Sequence, residues 1–192
     1  MKTRDTKNEI LDAAQEYVQR WGANAMSYQH ISEAVGIRKA SIHHHFPSKE
    51  KLLEALIDRY SGYFLGLVDA IVASPVESKT KLRKYIALFE ATLSEGKQDK
   101  ACMCGMLGAE LATLGSAAAE GIRRFYRENE KRLADILEEG RRAKEFHFEG
   151  SSRVTAQLIF SLLEGGMLIA RAEGGVQQFQ GMARQMLKMI QA

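Results

Sequence analysis

Only two cysteines occur in the 192 residues, Cys102 and Cys104, and a single residue separates them. A pair so close on a helix is badly placed to bridge, so no disulfide framework is expected and both are read as reduced thiols. Proline is as scarce, at Pro47 and Pro75 alone. No stretch alternates apolar and polar residues for long enough to argue for a half-buried strand. These absences leave an all-α fold. No unbroken run of about 18 apolar residues is there to span a membrane, and the opening MKTRDTKNEILDAA is too polar for a signal peptide. The expectation is a cytoplasmic protein without a membrane partner. Also missing are a glycine-rich phosphate loop behind a strand and any cluster of nucleophile, base and orienting acid, so neither catalysis nor a cofactor is expected. What the chain does have is ordinary in amount. The 45% of hydrophobic residues can build one or two cores, and a net charge of +3 permits nucleic-acid binding without arguing for it.

Periodicity and punctuation predict about nine helices. Ile10, Ala14, Tyr17, Val18 and Trp21 recur at helical spacing over Thr6 to Trp21, stopped by Gly22. Ser27 caps a second helix whose inward positions are Ile31, Ala34 and Val35, and Gly36 supplies a tight turn. Three residues after Ser27 stands His30, not Glu or Gln, so a simple cap is expected there. A third helix, Arg38 to His45, buries Ile42 and ends at Phe46 before Pro47. Ser48 then caps a long fourth helix with Leu52, Leu56, Tyr60, Tyr63, Leu67 and Ile71 inward, as far as Ser74 and Pro75. Further helices are predicted over Ser78 to Ser94, Ala101 to Leu114, Ser116 to Ala143, Ser152 to Ala172 and Val176 to Ile190.

The second and third helices, with Val35-Gly36-Ile37 between them, have the proportions of a helix-turn-helix. Reading DNA this way requires a second helix slender enough to enter the major groove, held at a fixed angle by the first. Ala40 and Ser41 keep its surface low. Arg38, Lys39 and Lys49 are placed to meet phosphates or guanine edges, Ser27 and Gln29 to meet the flanking backbone, and His44 and His45 to face the groove. Successive helical side chains point about 100° apart, so His43, His44 and His45 cannot converge on one ion, and no metal site is expected.

The run Lys39-Ala40-Ser41-Ile42-His43-His44-His45-Phe46, followed by Ser48-Lys49-Glu50 and Leu52, resembles the TetR family of bacterial one-component transcriptional regulators. Trp21-Gly22 and the pattern Ile31, Ala34, Gly36, Ile37 fall where that family has them, and the close match runs from about Arg4 to Phe64. Two positions depart from it: His43 stands where a phosphate-contacting tyrosine is more usual, and Ala40 where glycine is frequent. The resemblance implies a three-helix DNA-binding domain over residues 1–48 and a helical regulatory and dimerisation domain over 49–192. It also implies a near-palindromic double-stranded DNA operator, an unidentified small-molecule or electrophile effector that releases a repressor, and a homodimer formed through the last two helices. A DNA-binding dimer without an effector, or an activator, is the alternative.

In the second half, Phe64, Phe89, Met103, Met106, Phe125, Tyr126 and Phe160 are candidate ligand contacts, since aromatic rings and methionines line adaptable apolar pockets. Glu110 and Glu164 join them as acids inside apolar helices; for Glu164 the alternative is a pair with Arg171. Gly165, Gly166 and Ala170 would admit a close helix neighbour. Cys102, at a predicted helix start beside the loop Lys97 to Lys100, is a candidate sensor of electrophiles or oxidants, or simply a small buried core residue.

Overall fold

The computed structural model describes residues 5–94 and 99–190, so Gly96 and Lys97 lie outside the described residues. Among the described residues nine α-helices follow one another: α1 Thr6–Trp21, α2 Tyr28–Val35, α3 Lys39–His45, α4 Lys49–Ala73, α5 Ser78–Ser94, α6 Met103–Ala109, α7 Ser116–Arg142, α8 Ser152–Ala172 and α9 Gly175–Ile190. Among the described residues no strand occurs, and the fold is all-α. One predicted helix is interrupted. The segment expected to be helical from Ala101 to Leu114 stops at Ala109 and continues as a short 3₁₀ turn, Leu111–Thr113. Gly105 and Gly108 weaken the helix locally, and the Glu110 side chain is drawn away to bond elsewhere, as described below.

The chain divides into two compact units, one of residues 1–62 with 103–124, the other of 63–102 with 125–192. In the first unit Ile10, Ala14 and Val18 of α1, Ile31 of α2, Ile42 of α3 and Leu52, Leu56 and Ile57 of α4 are essentially solvent-free. The Arg59 guanidinium reaches Asp12 across 2.7 Å, tying α4 to α1. Gly121 lets α7 approach α4, because a side chain there would press on Ile57. Three residues predicted inward are exposed instead: Trp21, Ala34 and Tyr63. Trp21 ends its helix, and it lies on the surface against Tyr17, ring centroids 4.5 Å apart, with Arg20 over its face. On α4 the buried stripe continues from Tyr60 through Phe64 and Val68 rather than Tyr63 and Leu67, a step of four where the expected pattern took a step of three; both steps lie within reach of a 3.6-residue turn, so spacing alone does not choose between them.

In the second unit α8 packs on α9 and both meet α5. Leu82, Tyr85, Phe89 and Leu93 of α5 are buried with Leu133, Ile136 and Leu137 of α7, Leu163 of α8 and Phe179 of α9. Charged groups lace the periphery: Arg132 holds Asp69 and Glu128, each at 2.6 Å, and Lys81 reaches Glu139 at 2.8 Å. The Glu145 carboxylate accepts the amides of Ser78 and Lys79, 3.2 and 2.8 Å away, and so caps α5. By length and a mean hydropathy of 1.3 over 18 residues, α8 is the one described helix able to cross a bilayer. Arg153, Glu164 and Arg171 interrupt its apolar run, and Ala156, Ile159, Phe160, Leu163, Met167 and Ala170 are buried.

Candidate nucleic-acid interface and effector cluster

The helix-turn-helix is locked at both ends of α2. At its start the Ser27 hydroxyl accepts the His30 amide at 3.4 Å while His30 Nδ1 accepts the Ser27 amide at 3.3 Å. This reciprocal capping box replaces the expected simple cap, because the ring nitrogen offers a lone pair at the reach usually supplied by Glu or Gln. His30 also stacks on Tyr17, ring centroids 4.8 Å apart. At the other end Gly36 takes the left-handed conformation, φ 72° and ψ 38°, at little cost to a residue without Cβ. The Ser32 carbonyl accepts the amides of Gly36 and Ile37 at 2.9 and 3.1 Å, and its hydroxyl donates to the Ile37 carbonyl at 2.6 Å. One serine thus closes the turn that sets the angle of α3.

That helix is anchored by Ile42 and by Phe46 beyond its end, both buried, and the Tyr28 hydroxyl donates to the Phe46 carbonyl at 2.8 Å. Arg38, Lys39, Ala40, His43 and His44 are exposed, with Ser41 and His45 half-buried. Arg38 and Lys39 stand at the helix start, and α3 has no acidic residue. His43 leans on the Tyr28 ring at 4.7 Å with Nδ1 3.4 Å from the Pro47 carbonyl, whereas His44 and His45 meet edge-on at 5.3 Å. Besides Ser27, whose hydroxyl caps α2, two further predicted contacts are engaged within the protein. The exposed Gln29 amide bonds Glu33 on its own helix. The Lys49 ammonium donates to the Met26 carbonyl at 2.7 Å, and burial lowers its pKa against the opposing pull of Glu110.

Glu110 has a role that its sequence neighbourhood conceals. Its carboxylate accepts the Ala23 amide at 2.7 Å and the Asn24 amide at 3.1 and 3.2 Å, so α6 closes on the loop between α1 and α2. Gly22 is required beneath it: its φ is +83°, and a side chain there would collide with the Glu110 carboxylate. Thr113 supports the same loop, its hydroxyl 3.0 Å from Asn24 Oδ1. The partners are 87 residues apart, so no local pattern reveals them. Glu110→Ala is expected to lower stability by about 1.5 to 3 kcal/mol, the range for hydrogen bonds to a charged group, read as a shifted urea midpoint. An unchanged midpoint would reduce the clamp to a surface contact.

The second unit gathers five of the candidate ligand residues into a closed ring. Phe64 meets Phe89 at 5.8 Å between centroids, Phe89 meets Phe160 at 6.3 Å and Phe160 meets Tyr126 at 5.7 Å. Tyr126 then meets Phe125 at 6.1 Å, and Phe125 returns to Phe64 at 5.5 Å. The four phenylalanines are at most 5% exposed and Tyr126 is half-buried. Glu164 follows Phe160 by one helical turn, on the same side of α8. It sits with Cys102, not Arg171: burial pushes its carboxyl up to about 7, and the Cys102 thiol, hydrogen-bonded to it, pulls the other way. Its Oε1 is shut away from solvent with no hydrogen-bond partner. Cys102 and Cys104 are both buried, and the Cys102 amide donates to Met167 Sδ at 2.9 Å. Met103, Met106 and Glu110 belong to the first unit.

Comparison with known proteins matches residues 10–56 to bacterial regulatory proteins of the tetR family. Residues 78–186 match the tetracyclin repressor-like C-terminal domain. A transcriptional regulator of the TetR family from Agrobacterium tumefaciens is 32% identical, with 97% of each chain covered and a TM-score of 0.92. The transcriptional regulator AcuR of Cereibacter sphaeroides is 24% identical over 85% of this chain and 75% of its own length. The HTH-type transcriptional repressor NemR of Escherichia coli is 23% identical over 87% of this chain and 84% of its own.

Proposed function

This chain belongs to the TetR family of bacterial regulatory proteins and is a DNA-binding transcriptional regulator, and we propose that it is a repressor released from its operator by a small molecule. The observation that carries the DNA-reading assignment is the face of α3. Arg38, Lys39, Ala40 and His44 are exposed on a seven-residue helix whose angle the Ser32–Gly36 turn and the Tyr28 hydroxyl hold fixed. Residues 1–48 read DNA in this scheme, and 49–192 dimerise and regulate. The protein carries out no chemical step of its own and works where its DNA is, in the cytoplasm. Repression is favoured because a relative such as NemR is a repressor.

Dimerisation is assigned to α8 and α9. On α8, Val154, Leu158 and Ile169 are exposed, 60 to 65% accessible, and Met189 of α9 reaches 72%. On the same side of α8 lie Ser161 and Gly165, and a side chain at Gly165 would meet nothing, so a second helix can approach closely there. Gly166 and Ala170 serve a different purpose from the one expected: Gly166 faces Met182 of the same chain and Ala170 is buried. A twofold pair of α3 helices then reads a near-palindromic operator.

The effector site is assigned to the aromatic ring with Glu164. Burial of Cys102 against Glu164 favours a noncovalent trigger over thiol modification, and native protein is expected to resist alkylation by iodoacetamide until denaturant is added. Rapid alkylation of Cys102 with loss of operator binding would reverse that order. DNA reading is tested by selecting bound fragments and measuring affinity by anisotropy at fixed salt. Arg38→Ala and Lys39→Ala should each weaken binding by about 1 to 3 kcal/mol with the fold intact. Unchanged affinity in both would remove α3 as the reader.

A further inference from the structure

Glu164 is placed as no structural need explains. It stands one turn from Phe160 in the aromatic ring, and across from it is Tyr85, whose ring lies 5.5 Å from Phe89 and whose hydroxyl is pushed up first by burial and then by the charge of Glu164. The acid therefore borders the ring through α8 and through α5. Among the described residues the groups that act on it or on Tyr85 are acids: Cys102 and Tyr85 adjoin it, and Glu130 also acts on Tyr85. Tyr85 is already engaged with Asn129 at 3.3 Å, and the Asn129 amide donates to the Phe125 carbonyl at 2.9 Å. Cys102 supplies one hydrogen bond to the carboxyl, and Oε1 has none.

We propose that this cluster is the recognition site for a small organic ammonium ion, which donates an N–H to Glu164 Oε1 and lays its cationic carbon skeleton against the faces of Phe89, Phe160 and Tyr126. The proposal rests on the assignment of the effector site to this unit and adds the class of ligand. Aromatic faces attract cations within about 6 Å of the ring centroid, and the half-buried Glu164, with its Oε1 shut away from solvent, gains most from a partner that brings both charge and a donor. A neutral alcohol would satisfy Oε1 and leave the ring faces unused. A carboxylate or phosphate would meet the acids Glu164, Cys102 and Tyr85. Without ligand the carboxyl, raised to about 7, is protonated in a substantial fraction of molecules near neutral pH, because burial disfavours its ionised form. An arriving ammonium ion sends that proton to solvent; a free amine takes it and becomes the ammonium. Tyr126 is the half-buried member of the ring and marks the side from which it opens.

Calorimetric titration with benzylamine, benzyl alcohol, benzoate and benzyltrimethylammonium tests the class. Each compound is also tested for release of a labelled operator. Benzylamine should bind at least tenfold more tightly than the alcohol and benzoate, and with a measured enthalpy that varies with buffer, as proton release requires. Benzyltrimethylammonium, a cation without an N–H, should fall between. Glu164→Gln, which mimics the protonated acid in shape and should fold normally, should erase the preference for the amine. Glu164→Asp, charged but shorter, should retain part of it. Equal binding of amine and alcohol, tighter binding of benzoate, no amine binding, or an unaltered amine preference in Glu164→Gln would overturn the proposal. The two readings separate cleanly. Benzoate or alcohol that alone releases the operator keeps effector control and overturns the ammonium class, whereas amine binding at Glu164 without release keeps the class and overturns the release.

Discussion

Leu158→Glu and Ile169→Glu are each expected to turn the proposed dimer into a monomer and to weaken binding to a two-half-site operator by about a hundredfold or more. Both side chains are exposed in the single chain, at 65% and 60%, so the substitutions leave the core untouched and the melting temperature of the monomer close to that of the parent. In the dimer each places an unpaired carboxylate in an apolar contact, and twofold symmetry places it there twice. An uncompensated buried charge costs about 3 to 5 kcal/mol, against roughly 1.4 kcal/mol for each tenfold in a binding constant. Sedimentation velocity at micromolar concentration gives the assembly state, and anisotropy with full and half operators gives the affinity. Loss of binding to the full site with half-site binding retained is the expected pair of results. A dimer that survives both substitutions would move the interface off this face of α8.

Phe125→Ala is expected to cost about 3 to 5 kcal/mol in stability, the range for truncating a buried aromatic residue. Phe125 is 1% exposed and belongs to the aromatic ring through Phe64 and Tyr126. Its removal takes away the ring contacts to Phe64 and Tyr126 and leaves a void between them. Phe125→Leu retains most of the volume and should cost less than about 1.5 kcal/mol. Urea unfolding followed by circular dichroism gives the total. Trp21 is the single tryptophan and lies in the first unit, so its fluorescence reports that unit alone. If Phe125→Ala shifted the circular dichroism midpoint by no more than Phe125→Leu does, the ring would not be tightly packed.

Local rules reached far along this chain. The spacing of Ile10, Ala14 and Val18, the glycines at 22 and 36, and proline after Phe46 were enough for α1 to α3, because a helix is specified by neighbours three and four residues away. Ser78–Ser94 and Ser152–Ala172 fall within the predicted bounds for the same reason. The short run from Lys39 to Leu52 carried the family, since it combines turn, recognition helix and following cap in one contiguous stretch. The local rules failed where two of them competed. His30 could complete a capping box, and only the geometry of its ring nitrogen shows that it does.

The sequence by itself determined the all-α fold, the order of the helices and the basic, exposed start of α3, because helical periodicity and capping are properties of neighbouring residues. Tertiary structure alone decided which residues meet. Glu110, read from its apolar neighbours as a ligand contact, turns out to hold the amides of Ala23 and Asn24, and it ends α6 in doing so. Gly166, expected to face a partner helix, faces Met182. The five rings from Phe64 to Phe160 were each legible as apolar, but their closure into a cycle beside Glu164 depends on four helices, α4, α5, α7 and α8, brought together across the sequence. No periodicity encodes that, because a side chain's partners across a core are set by the packing of whole helices and not by the residues next to it.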